Sequence, residues 1–255
     1  MDKLLKQRPV ITLTVITFAL VLLLLGVTRI LKFEPNTVLL LSQIIVLIPT
    51  IYLLKIRGLL HIFKFDFNSF SRGLLLGWFG ILLSLFYFVS KFELFASTKF
   101  TIASFLIIVI GNLLVGAFEE ILLRGFVFNE LLEHYSPIRS AVISGIIFGL
   151  AHVFNFLVSE PAAVVSQLVY AFFLGVFFAA IYYVTKDIWS VILIHGLIDT
   201  VSVLTKGVPT STPSAPVDVI TSIVSATVVS ITVLPALIIG IIIFKRHAKK
   251  QKSVA

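Results

Sequence analysis

The chain has no cysteine among its 255 residues, and only 13% of its side chains are charged. The missing cysteine excludes disulfides, thiolate metal centres and any cysteine nucleophile, while saying little about compartment. The shortage of charge excludes an ordinary soluble domain, in which about a quarter of residues are Asp, Glu, Lys or Arg. Acids are scarcest, with 12 Asp and Glu against 20 Lys and Arg. Also missing are an internal repeat, the inverted halves that many transporters carry, and a motif for a nucleophilic serine.

Hydrophobic residues fill the space, at 59% of the chain. The runs Pro9–Thr28, Val38–Leu54, Gly73–Ser90, Phe100–Phe118, Ser140–Ser159, Pro161–Thr185 and Val219–Phe244 hold no Asp, Glu, Lys or Arg. Most approach the ~20 residues that a helix needs to cross ~30 Å of hydrocarbon. An eighth run, Ile188–Thr205, is interrupted by His195 and Asp199. The expected fold is all-α: a single polytopic membrane domain over residues 1–255, with about eight transmembrane helices. The first run is long for a signal peptide and ends in Thr28-Arg29-Ile30-Leu31-Lys32, without a small-residue cleavage site, so a retained span is expected.

Charge position sets orientation. With the N-terminus inside, 15 of the 20 Lys and Arg fall on the inner side. The outer five are Arg29, Lys32, Lys91, Lys99 and Lys206. Short loops with this bias predict N-in and C-in. The formal charge of +8 then reflects topology and anionic lipid, and no nucleic-acid partner is expected. The tail from Lys245 reads as a stop-transfer anchor, and the proline-bearing stretch 206–218 as an external loop.

A charge near mid-bilayer costs a few kcal/mol, so ionisable groups kept inside hydrophobic spans are informative. They are few. Glu119 and Glu120 close the run Phe100–Phe118, His152 lies in Ser140–Ser159, and His195 and Asp199 lie in Ile188–Thr205. Spacing adds contacts. His195 and Asp199 are four apart and share a helix face, as do Phe148 and His152, while Glu120 and Arg124 stand in the favourable order for an ion pair. Adjacent glutamates point ~100° apart. This suggests Glu120 held by Arg124, with Glu119 turned toward the histidines. Each element taken alone has a plain structural use, as a helix end, a packing histidine or an interhelical clamp. Their confinement to three spans favours one shared site.

Two histidines and carboxylates without cysteine are the ligand set of a catalytic zinc site, with Glu119, His152, His195 and Asp199 as candidate ligands. They equally suit metal-free hydrolysis, in which Glu119 takes a proton from water and a histidine steadies the oxyanion. Zinc or no cofactor both stand at this point.

"EEILLR" at Glu119–Arg124, "FGLAH" at Phe148–His152 and "HGLID" at His195–Asp199, in this order on successive spans, resemble the CPBP family. That family comprises the type II CAAX prenyl proteases and the bacteriocin-processing, or Abi, proteins. The likeness covers roughly residues 100–205. It implies an intramembrane endopeptidase of the cell membrane, most simply a bacterial plasma membrane, acting on a membrane-associated peptide or protein near the cytoplasmic face. Carried over, Glu119 activates water and His152 is its partner. His195 and Asp199 bind the oxyanion or a metal, and Glu120, Arg124 and Phe148 shape the site. The eukaryotic prenyl-protease branch typically has Asn where this chain has Asp199. An ionised Asp cannot donate to an oxyanion, which favours a bacterial-type member, with Asp199 orienting His195 or holding a metal, and counts against a prenylated substrate. The alternatives are a family member in which binding dominates, for bacteriocin immunity or peptide maturation, and a small proton-coupled transporter.

Depth makes a further demand. At ~1.5 Å per residue, His195 stands about two turns into its span and His152 about four. Glu119 reaches their level only if spans tilt or if the fourth helix runs past Arg124, and a long fourth helix is expected.

Overall fold

The computed structural model describes residues 1–157, 159–205 and 219–253. Among them the structure is entirely helical. Apolar side chains cover its surface as well as its core, including Ile11, Val15, Leu75, Phe86, Ile102 and Ile231. With no water in the hydrocarbon to satisfy exposed backbone, helices are the natural solution for such a chain. This is a polytopic membrane protein.

The principal helices are α1 (Pro9–Ile30), α2 (Pro35–Ile56), α3 (Phe67–Leu76), α4 (Trp78–Ser90), α5 (Ile102–Glu120), α6 (Pro137–Ala151), α7 (Pro161–Thr185), α8 (Trp189–Leu204) and α9 (Val219–Lys252). Among the described residues, six helical spans are long and apolar enough to cross a bilayer, and a seventh arises if the α3–α4 pair counts as one span. The eighth expected span, α8, has only 16 residues. Its run in the sequence is longer than the helix, because the chain leaves helical geometry at Thr205.

Local sequence explains the helix starts. Proline opens α1, α2, α6 and α7, where its missing N–H costs nothing. Glu34 caps α2 by accepting from the Asn36 and Thr37 amides at 3.1 and 3.2 Å. Asp66 caps α3 through the Ser69 amide at 2.8 Å, and that bond holds its carboxyl below the usual range. Thr101 caps α5 through the Ser104 amide at 3.1 Å.

The expected third span, Gly73–Ser90, is not one straight helix. It breaks at Gly77, where α3 and α4 meet at 59°. A methyl group on Gly77 would collide with the Ile194 side chain, and one on Gly73 with Ser190. The apolar run reads straight through this bend because hydropathy does not register a neighbour pressed into a glycine notch.

The long fourth helix is present. Past Glu120 the chain continues as a π-helical stretch, Ile121–Phe128, and a last α turn, Asn129–Leu132. Together with α5 these make 31 continuous residues. The connection after Glu120 is therefore an extension of the helix, and Ile121 to Phe128 are buried.

The chain divides into two compact units. One comprises Met1–Phe18, Val127–Val184 and Thr210–Ala255; the other comprises Ala19–Phe126 and Thr185–Pro209. In the first, α6 packs on α7 through Gly145 and Gly149, and α9 packs on α7 through Gly240. A hydrogen bond of 2.9 Å from Asn129 Nδ2 to the Tyr182 hydroxyl ties the end of the fourth span to α7. In the second, α8 lies against α3, α4 and α5, and α5 also packs on α2. The external loop expected at 206–218 lies outside the described residues.

Candidate active site

Close backbone approach places the acids beside a histidine. On α5, a methyl group on Gly116 would lie 2.9 Å from the Gly196 nitrogen and 3.0 Å from the Ile192 carbonyl oxygen of α8. On α8, one on Gly196 would lie 2.9 Å from Leu113 Cα. Two glycines facing each other let the helices meet backbone to backbone, as in small-residue crossings of membrane helices. Gly116 precedes Glu119 by one turn and Gly196 follows His195 directly, so the crossing sets how near these side chains come.

Glu120 is fully buried, and both of its charged partners converge on one oxygen. Arg124 Nη1 donates to Glu120 Oε1 at 2.8 Å, and His195 Nδ1 donates to the same atom at 2.7 Å. These are charge-assisted distances. A carboxylate oxygen can only accept, so Nδ1 of His195 carries a proton. That bond fixes the rotation of the ring, with Nε2 turned the other way. The pair expected between Glu120 and Arg124 is present, and the bond to His195, 75 positions along the chain, completes a buried triad.

The Nε2 side differs. Glu119 Oε2 stands 3.4 Å from His195 Nε2, and Asp199 Oδ2 stands 3.5 Å from it. Their side chains are 22% and 31% exposed, against 7% for His195 and none for Glu120. Both distances exceed an ordinary N–H···O bond. They are ion-pair contacts, and neither carboxylate is locked to the ring. One imidazole thus carries a closed side, bonded to a buried carboxylate, and a looser side with two partly exposed acids.

His152 and Phe148 belong to the other unit. His152 is the C-cap of α6, where the α-helix gives way to a 3-10 stretch, His152–Leu157. Its Nδ1 donates to the Phe148 carbonyl at 2.9 Å, and its ring meets the Phe148 ring edge-on at 5.1 Å. The carbonyl accepts only, so the tautomer of His152 is also set by its backbone partner.

Zinc is the cofactor the donor set suggests. Among the described residues, no group of three or more His, Asp or Glu side chains is arranged to hold a metal ion. Around His195, the acids act as partners of the imidazole. By themselves Glu119, His195 and Asp199 do not make a zinc site, and the chemistry below is written for side chains alone.

Two contributors escape a census of charges inside spans. Asp187, 1% exposed, lies in the connection before α8 and accepts from the Ser190 amide at 2.7 Å, anchoring the start of the helix that bears His195. Lys186 beside it has φ 57°, the left-handed turn that lets α7 and α8 follow closely. The Gly116–Gly196 crossing is the other. Glycines one turn before an acid and next to a histidine were its signal in the sequence.

Residues 101–201 match the family model for the type II CAAX prenyl endopeptidase Rce1-like proteins. The matched stretch contains all three motifs, so the resemblance drawn from them holds over this part of the chain. No curated protein and no solved structure matched.

Proposed function

Taking residues 101–201 as a type II CAAX prenyl endopeptidase Rce1-like segment, we propose that this membrane protein hydrolyses a peptide bond of a membrane-associated peptide or protein, with Glu119 as the base that activates water. The observation that carries this reading is the asymmetry around His195. Of the two neighbouring glutamates, Glu120 is fully buried and held through Oε1 by Arg124 and His195, while Glu119 is partly open and beside Nε2.

In the proposed reaction the Glu119 carboxylate takes a proton from water as the water oxygen attacks the scissile carbonyl carbon. His195, as an imidazolium, donates Nδ1–H to Glu120 and offers Nε2–H to the oxyanion that forms. Asp199 balances the ring's charge, which suits an Asp at this position better than donation to the oxyanion would. As the tetrahedral intermediate collapses, Glu119 returns its proton to the leaving nitrogen and the C–N bond breaks. His152 is assigned as Glu119's partner on its motif position. The cytoplasmic face is proposed from the charge bias, with N and C termini inside, and a bacterial plasma membrane from the family resemblance together with Asp199.

The test is cleavage of a peptide library by the purified protein in detergent, with Glu119→Ala and His152→Ala alongside. Both variants are expected to lose cleavage by ~10²-fold or more while remaining folded. Cleavage unaffected by Glu119→Ala would sink the mechanism.

A further inference from the structure

The last helix, α9, runs unbroken for 34 residues. Its apolar part, Val219–Phe244, would be ~39 Å long at 1.5 Å per residue, more than the ~30 Å of hydrocarbon requires. Eight more residues follow in the same helix, with Lys245, Arg246, Lys249, Lys250 and Lys252 among them and no acid anywhere in 219–253. All five cations are exposed, and none makes an ion pair among the described residues.

Their arrangement is one-sided. At ~100° per residue the five cations fall within an arc of ~160°. The opposite side carries Phe244, His247 and Gln251. Phe244 is buried, and its ring lies 5.5 Å from that of Tyr183 on α7. His247 meets Tyr183 edge-on at 5.6 Å, and Gln251 bonds to the His247 ring at 3.1 Å. The aromatic contacts fix the rotation of the helix, so the cationic face points away from α7. A stop-transfer signal needs charge but no preferred side.

We propose that this face of α9 is a binding surface for anionic phospholipid headgroups in the leaflet where the tail emerges. Lys245 and Arg246 stand at the end of the apolar run, and Lys252 stands ~12 Å beyond it. The cations thus cover the depth of the headgroup layer, which is ~5–8 Å thick on each side, and the first Debye length of water outside it. A soluble acidic partner would not need the cations to begin at the hydrocarbon boundary. The proposal is independent of peptide hydrolysis.

The test uses the full chain reconstituted in phosphatidylcholine vesicles with roughly 5% phosphatidylglycerol, extracted as polymer-bounded discs whose lipid content is measured. Wild type is expected to enrich phosphatidylglycerol at least ~3-fold over the bulk vesicle at 0.1 M salt, and to lose most of this at ~1 M, where the Debye length is ~3 Å. The variant K249Q/K250Q/K252Q keeps Lys245 and Arg246 for insertion and is expected to cut the enrichment to below half. Moving those three cations to the opposite side of the helix, at His247, Ala248 and Gln251, should not restore it. Equal enrichment in wild type and the triple variant at both salts would overturn the proposal. So would a poly-glutamate peptide that binds wild-type discs of pure phosphatidylcholine, fails to bind the variant, and is not displaced by phosphatidylglycerol; that result would assign the face to an acidic protein.

Discussion

The two nitrogens of His195 face the same kind of group in unlike surroundings. At Nδ1, a fully buried carboxylate accepts at 2.7 Å and is shared with a buried arginine. At Nε2, two partly open carboxylates stand at 3.4 and 3.5 Å. Burying an ion pair costs several kcal/mol per charge, and only close, well-directed bonds offset it. The closed side satisfies that condition and therefore positions the ring. The open side leaves Glu119 partly exposed and 3.4 Å from the ring, which suits the proton transfer to and from water proposed for it. In the proposed reaction, position relative to the helix crossing, more than residue type, separates the structural glutamate from the reactive one beside it.

Removing the closed side should have the largest effect on the fold. Glu120→Ala removes the buried carboxylate that Arg124 and His195 share, and should cost ~3–5 kcal/mol, read as a lowered unfolding midpoint in detergent. An unchanged midpoint would mean that the triad contributes little and that the two sides of His195 are not as unlike as their geometry. Next in size is the crossing. Gly116→Ala puts a methyl group against the α8 backbone and should cost ~1–3 kcal/mol, with cleavage falling further than stability because Glu119 and His195 are forced apart. Cleavage and stability falling in proportion would remove the crossing from the account. The smallest effect concerns a third kind of carboxylate, exposed and outside the span. Asp66 has a lowered pKa because it accepts from Ser69. Its contribution to the start of α3 is fully present above the unfolded carboxyl pKa and is lost as pH falls through the lower folded value. Amide exchange at Ser69, corrected for intrinsic rates, should accelerate only at that acid end. In Asp66→Asn this step should disappear.

Much of the fold is legible in the chain because hydrocarbon tolerates so little charge. The charge-free runs mark the spans, and depth arithmetic calls for the fourth helix to extend past Arg124, as it does to Leu132. The i, i+4 neighbours also follow from helix geometry, so Glu120–Arg124, His195–Asp199 and Phe148–His152 are in contact. The rest depends on distant partners. The bend at Gly77 exists because Ile194 occupies its notch, and the Glu120–His195 bond joins residues 75 apart. The π-helical stretch Ile121–Phe128 has ordinary helix-forming apolar sequence, and nothing in its pattern separates it from an α-helix. Asp187 lies just outside a span, where a carboxylate is unremarkable until Ser190 is seen to donate to it.

The division of labour between adjacent glutamates is the central claim, and single-turnover cleavage of a peptide substrate by Glu119→Gln and Glu120→Gln tests it most directly. Each rate is corrected for the folded fraction. The account predicts that Glu119→Gln unfolds at the wild-type midpoint and cleaves at least ~10²-fold more slowly, while Glu120→Gln is less stable and its folded fraction still cleaves. Wild-type cleavage by Glu119→Gln, or a folded Glu120→Gln slower than Glu119→Gln, would contradict it.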